Sequence, residues 1–335
     1  MDKETLRRTF LKGSALALGG LAACELGGAE DAAAAQHGKS EVFFTKDISV
    51  DGLLKIYAKI NRGLTGRVGI KLHTGEPHGP NLLPIEFIQG LQPHIPNSTI
   101  VECNVLYPSP RQATHGHRET LQTNGFGFCP VDIMDAEGDA TLPIPGMREF
   151  LDAPASAPPR FVPGEHLTEV AVGKNLLNYD SLFVYTHFKG HMMGGFGGSL
   201  KNIAIGCASG KVGKLQIHGA GWPTGPLVLE RMVESGKAIT AHFGSHITYI
   251  NVLKNISVDC DCDAHGAKPT CNDIGIVGST DILAIDKASI DLVYAQPEEQ
   301  RRDIVKRIES RSGLHQLEYM KTLRMGNDQY ELSTL

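Results

Sequence analysis

Two segments of this chain concentrate residues able to do chemistry. The first runs Tyr185-Thr-His187-Phe-Lys189-Gly-His191-Met-Met-Gly-Gly-Phe-Gly-Gly-Ser-Leu-Lys201-Asn202 and is predicted to leave a strand and enter a helix. Ligands of open α/β sheets bind off the carboxyl ends of strands, where glycine-rich turns expose backbone N–H groups to anions. Lys189 and Lys201 add positive charge there. His187 and His191 are candidate metal ligands or acid/base groups, because neutral imidazole can do both near pH 7. The glycine run does not fit the dinucleotide pattern G-x-G-x-x-G, and a tight structural turn is the alternative reading.

The second segment is Asp259-Cys260-Asp261-Cys262-Asp263, with Cys271 nine residues further on. Soft thiolates on one loop suit zinc or an iron–sulfur cluster, although the spacing matches neither the usual ferredoxin nor the usual zinc-finger pattern. A fourth ligand must come from elsewhere; Cys207 is the first choice and His265 the second. In an oxidising compartment the same cysteines could instead form disulfides, or stay free.

A third set follows two further predicted strands: Lys71, His73 and Glu76 after the first, and Asn104, Tyr107, Arg111, His115 and His117 after the second. Strand ends that deliver cations, imidazoles and a carboxylate are what an anion-binding or acid/base cleft needs. Asp281 and Asp286, in contrast, fall at or within a helix, and Asp281 is read as its cap.

The elements that must position these groups read as alternating strands and helices. Strands are predicted at 67–73, 99–104, 181–187, 246–253 and 273–277; helices at 51–60, 82–91, 114–123, 167–177, 198–207, 226–242 and 281–294. This order predicts an α/β fold, a mainly parallel sheet with helices on both faces, and the proline-rich stretch 142–163 allows two subdomains. Two amphipathic helices and an edge strand are expected after residue 297. With 32 Lys+Arg against 37 Asp+Glu and 41% hydrophobic residues in 335, the chain has a globular profile. It carries no basic block, so nucleic acid is not an expected partner.

The N-terminus reads as an address. Arg7-Arg8, Phe10-Leu11-Lys12 and a short apolar run match a twin-arginine export signal over residues 1–24, followed by a flexible tether over 25–40. Leu21-Ala22-Ala23-Cys24 resembles a lipobox, making Cys24 a lipidation site and the membrane a partner; release by cleavage near Ala35 is the alternative.

Taken together, Lys71-x-His73-x-Gly75-Glu76, Asn104-x-x-Tyr107, Arg111 with His117, His187-Phe-Lys189-Gly-His191, Gly195-Phe-Gly197-Gly-x-x-Lys201-Asn202, Gly206-Cys207, Cys260-Asp-Cys262 and Asp281-x-x-Ala-x-Asp286 resemble the domain-of-unknown-function family 362. The resemblance implies a core domain over 41–296 with a C-terminal extension over 297–335. Many members of that family carry a two-cluster ferredoxin insert, whereas this sequence has no cysteine between His218 and His246. The expected protein is therefore an exported metal- or iron–sulfur-binding protein that binds one cluster or zinc ion through Cys260, Cys262, Cys271 and Cys207. It is expected to be an oxidoreductase acting on a small anionic substrate, with an electron-transfer partner. His187, His191, Lys189 and Lys201 would be catalytic, and Lys71, His73, Glu76, Arg111, His117 and Asn202 would bind substrate. A zinc hydrolase and a non-enzymatic metal- or solute-binding lipoprotein are the alternatives.

Overall fold

The computed structural model describes residues 38–146 and 164–335. The expected export signal, lipobox and most of the tether lie outside the described residues. Residues 38–335 form one unit.

Its centre is an eight-stranded sheet. In chain order the strands are β1 (Ser40–Thr45), β2 (Val68–Lys71), β3 (Ser98–Glu102), β4 (Val131–Ile133), β7 (Ser181–His187), β10 (Ile247–Leu253), β11 (Gly275–Ser279) and β12 (Tyr330–Thr334). Across the sheet the order is β12-β1-β11-β10-β7-β2-β3-β4. From β10 to β4 every pairing is parallel, and β11 alone runs against both its neighbours. All seven residues of β7 and of β10 are buried. A parallel strand covered by helices on both faces reads as such a continuous buried run. Two short hairpin pairs complete the strands: β5 (Asp139–Pro143) with β6 (Glu169–Gly173), and β8 (Lys189–His191) with β9 (Gly195–Gly197).

Helices cover both faces, each over its own apolar cluster. One face carries α1 (Val50–Ile60), α2 (Ile85–Leu91) and α3 (Thr114–Thr123). Leu53, Ile56, Tyr57 and Ile60 of α1 share one buried side, the i, i+3, i+4, i+7 pattern of an amphipathic helix. The other face carries α4 (Ser199–Gly206), α5 (Gly213–His218), α6 (Pro226–Phe243), α7 (Ile282–Tyr294), α8 (Glu298–Ser310) and α9 (His315–Thr322). Pro226 opens α6 and Gly244, at φ 56°, follows its end, the usual punctuation of a helix. Among the described residues no helix is long and apolar enough to cross a membrane.

One predicted helix is a strand. Residues 167–177 instead contain β6, with Val170, Ala171 and Val172 buried against β5, and then a 3-10 turn over Lys174–Asn178. The helical spacing of Leu167, Val170 and Leu177 misled, because β-branched residues paired across a ladder favour the pleated backbone.

Asp281 is the helix cap expected. Its carboxylate accepts Leu283 N–H and Ala284 N–H, both at 2.9 Å, and also Asn327 N–H and the Ser40 hydroxyl. One side chain thus ties the start of α7 to β1 and to the chain before β12. Asp281→Ala is expected to cost about 1–2 kcal/mol, the upper part of the capping range. A urea midpoint unchanged from wild type would contradict this.

Candidate functional site

The carboxyl ends of β2, β3, β7 and β10 deliver almost every residue singled out above to one edge of the sheet, as expected of an open parallel sheet. There a cleft of about 820 Å³ opens. Val105, Leu106, Met192, Met193, Ile205 and Trp222 contribute apolar wall, while Lys201, Lys214, His191, Cys260 and Cys262 reach it with polar atoms.

The cysteine loop follows β10. Cys260, Cys262 and His191 present ligand atoms that all lie within 4.8 Å of one another. The loop is pinned from below by Asp261, which is 5% exposed. Its carboxylate lies 2.8 Å from Lys189 Nζ and 2.9 Å from His187 Nδ1, and its carbonyl accepts Glu76 N–H. Burial would raise the Asp261 carboxyl, but His187 and Lys189 outweigh it and hold the group well below the usual range. From α8, Arg307 adds hydrogen bonds to Val258 O and Asp259. Gly190, between Lys189 and His191, makes the approach possible: its N–H donates to Ser257 O at 2.7 Å, and a Cβ there would stand 2.2 Å from Val258 O.

Donors surround the Cys260 sulfur. Lys201 Nζ donates to it at 3.7 Å, and His73 and Cys262 lie beside it. The influence of Cys262, followed by the charge of Lys201 and by His73, outweighs desolvation and pushes the Cys260 thiol well down. Cys262, sharing that proton, is pushed up. The pair therefore holds one thiolate and one thiol. The Nδ1 atoms of His73 and His191 accept backbone N–H from Gly75 and Gly194, at 2.9 and 3.0 Å. Burial pushes both rings down, so each is neutral with its proton on Nε2.

Of the expected substrate-binding set, Lys71, His73, Glu76, Arg111 and Asn202 line the cleft and His117 does not, and several of them are also bound to one another. Lys71 Nζ is 2.9 Å from Glu102 and 3.0 Å from Asn202 Oδ1. Arg111, 1% exposed, reaches Glu76 at 3.3 Å and Glu102 at 3.2 Å, and its Nε donates to His117. His117 is pushed down to about 3, by burial first and then by Arg111. It is a neutral brace held against Asn104. Asn202 straps β2 to β7 through Lys71 O and Tyr185 O. Gly206 leaves the room that Lys71 occupies, since a Cβ there would meet its Cε at 2.2 Å. These charges are spent on one another. His187 is likewise committed: Nδ1 faces Asp261 and Nε2 lies 2.8 Å from Lys254 O, so neither nitrogen is left for a substrate.

The structure does not bring Cys207 or Cys271 into the thiolate group. Cys207 ends α4, wholly buried in the apolar core beside Cys103, and burial pushes its thiol up to about 12. Cys271 packs into the same core further along the loop, with its thiol pushed up to about 11 by burial. His265 does not join the group either. None of the six described cysteines is in a disulfide.

Four functional residues escaped the sequence reading: Glu102, Asp261, Lys214 and His218. Glu102, the last residue of β3, is the shared counterion of Lys71 and Arg111. A carboxylate at an inward strand end, one residue before an apolar Cys103, was its signal. Lys214 Nζ makes one hydrogen bond, to Ala208 O at 2.6 Å, and like Lys201 pairs with no carboxylate among the described residues. His218 Nδ1 is buried without a partner, and its ring lies 4.9 Å from that of Trp222. Burial, then Lys201 and Lys214, push His218 down to about 4.

A family model described as a domain of unknown function (DUF362) matches residues 68–291. Among solved structures, the lactate racemase apoprotein from Thermoanaerobacterium thermosaccharolyticum is similar at a TM-score of 0.40 and 13% identity, over 75% of this chain and 56% of that one. A crystal structure of a protein from Thermotoga maritima is similar at 0.39 and 14% identity, over 78% of this chain and 58% of that one. The chain thus spans somewhat over half the length of both. No curated protein matches it.

Proposed function

The chain belongs to the DUF362 family, and on that footing we propose that it is a metalloenzyme. It holds one soft divalent ion through Cys260, Cys262 and His191 and presents that ion to a small organic anion in the cleft. The observation that carries this reading is the convergence of two sulfurs and one imidazole at the wall of a cleft whose cations Lys201 and Lys214 have no carboxylate partner among the described residues. Three protein ligands with a fourth position open to a cleft is the pattern of a catalytic zinc-type site. Among the described residues only two cysteine sulfurs converge here, whereas an iron–sulfur cluster generally takes four. The donor set therefore favours a single ion and Lewis-acid or hydrolytic chemistry over cluster-based electron transfer with a redox partner. Lys201 and Lys214 would bind the anionic head, His218 would offer its open nitrogen, and Met192, Ile205 and Trp222 would cover an apolar body. Export by the twin-arginine route, with Cys24 as lipid anchor, belongs to the same proposal.

Ligation by His191 has a cost visible in the geometry. Through Nδ1 the ion displaces the Gly194 N–H; through Nε2 the neutral ring must carry its proton on Nδ1, which again breaks that bond. A second reading follows from this and from the donors around Cys260: a thiolate nucleophile that works without metal.

Titration with cobalt(II) separates the two. The first reading expects one ion bound with the intense sulfur-to-metal bands of cobalt(II) thiolate coordination, and those bands are lost in Cys260→Ser and in Cys262→Ser. Lys214→Met should then weaken binding of a small carboxylate about 10- to 100-fold, the value of a lost charge-assisted hydrogen bond. A wild-type chain that shows no sulfur-to-metal bands with cobalt(II), yet is alkylated at Cys260 near pH 6, would replace the metal reading with the thiolate one.

A further inference from the structure

Apart from the cleft, three segments distant in sequence bring a second set of ligand atoms together. Glu165 and His166 precede β6, Glu230 lies in the second turn of α6, and His315 opens α9. Ligand atoms of Glu165, His166 and Glu230 all lie within 4.8 Å of one another. His166 Nε2 is 2.5 Å from one oxygen of Glu230, and His315 Nε2 is 2.9 Å from the other. We propose that His166, His315, Glu230 and Glu165 form a second divalent-cation site, of the two-imidazole, two-carboxylate kind that suits zinc.

The surroundings of the cluster are those of a ligand set. His315 Nδ1 faces Glu318 at 3.2 Å, one helical turn further along α9. An outer carboxylate on the second ring nitrogen is how metal-binding imidazoles are commonly oriented, because it keeps that proton away from the ligating nitrogen. His166 is held by its backbone. Glu234, one turn after Glu230 on α6, accepts the N–H groups of Glu165, His166 and Leu167 as well as the Tyr319 hydroxyl. The imidazole therefore emerges from a fixed segment toward Glu230. His166, Glu230 and His315 are partly exposed, with side chains 13%, 19% and 27% accessible, so an ion can reach them from solvent. Without an ion the same atoms make a paired clasp. With one, imidazole and carboxylate move apart to bond lengths near 2 Å on either side of it.

The test silences the cleft first, so that its result does not depend on the thiolate site. Cys260→Ser/Cys262→Ser protein is titrated with cobalt(II) and zinc(II), followed by absorption and calorimetry. One ion is expected to bind, with weak ligand-field bands and none of the intense sulfur-to-metal bands that thiolates give. Glu230→Gln and His166→Asn in that background should abolish the uptake. On wild-type protein, zinc should protect His166 and His315 from carbethoxylation, a readout that needs no variant to fold. Absence of uptake in the double-serine chain, uptake that survives Glu230→Gln, or equal modification of both histidines with and without zinc would each overturn the site.

Discussion

Arg111→Met is expected to lower the unfolding free energy by about 3–5 kcal/mol, the usual loss when one partner of a buried ion pair is removed. The guanidinium serves two buried carboxylates at once, Glu76 and Glu102, with methionine close to it in length but unable to donate. Glu102 would keep Lys71, whereas Glu76 would keep only the hydroxyls of Tyr107 and Ser109, each at 2.6 Å. The loss also carries a pH signature. In the wild type, Lys71 and Arg111 overcome the burial of Glu102 and hold its carboxyl well below the ordinary range. Its contribution is thus fully present above the unfolded value of about 4.3 and fades only as pH falls through the lower folded value. Taking away Arg111 raises the folded value. The deficit should therefore be largest near pH 7 and shrink toward pH 4, where the variant can protonate. Urea midpoints at pH 7 and pH 4.5 check both parts. A deficit under 1 kcal/mol, or one independent of pH, would mean that solvent or a shift of the helices replaces the guanidinium.

That network also shows where reading the chain succeeded and where it stopped. The buried strands at 181–187 and 247–253 are legible because a parallel strand must be apolar on both sides, and the loops that follow them must then face the cleft. So the third set of residues and the glycine-rich segment are expected at strand ends, and the structure adds the Cys-x-Cys loop after β10 to the same edge. Topology does not say which side chains face each other. Lys71, Arg111 and His117 have the residue types of a substrate site, yet Glu102 and Glu76 use up the charge of the first two, and the position of Glu102 is set by strand register rather than by any local motif. Cys207 shows the same limit: it lies in the right part of the chain, but α4 buries its sulfur in the core. Lys214 and His218 lie on a six-residue helix with no pattern of its own, and only the folded cleft gives them meaning.

Asp261→Asn is the change that links fold to site most directly. The carboxylate sits between Cys260 and Cys262 in sequence, with His187 Nδ1 facing both its oxygens and Lys189 on one of them. Asparagine keeps the volume but brings an amide N–H₂ toward donors, and it leaves the buried Lys189 ammonium, 4% exposed, without a counterion. The expected cost is again about 3–5 kcal/mol. A second effect follows from the first. The cysteine loop is fixed by this charge pair on one side and by Arg307 on the other, so losing the pair frees two sulfurs whose spacing defines the proposed ion site. Zinc affinity should then fall by at least the 10- to 100-fold common for loss of an outer-shell partner. Cys260→Ser, by contrast, should abolish metal binding at the cysteine loop while leaving the Asp261–Lys189 pair intact, so its stability loss in the metal-free protein should be smaller than that of Asp261→Asn. Equal zinc affinity in wild type and Asp261→Asn, beside a large stability loss, would show that Arg307 and the backbone suffice to place the thiolates. Equal stability would show that Lys189 finds another anion, and the charge pair would lose its place as the anchor of the loop.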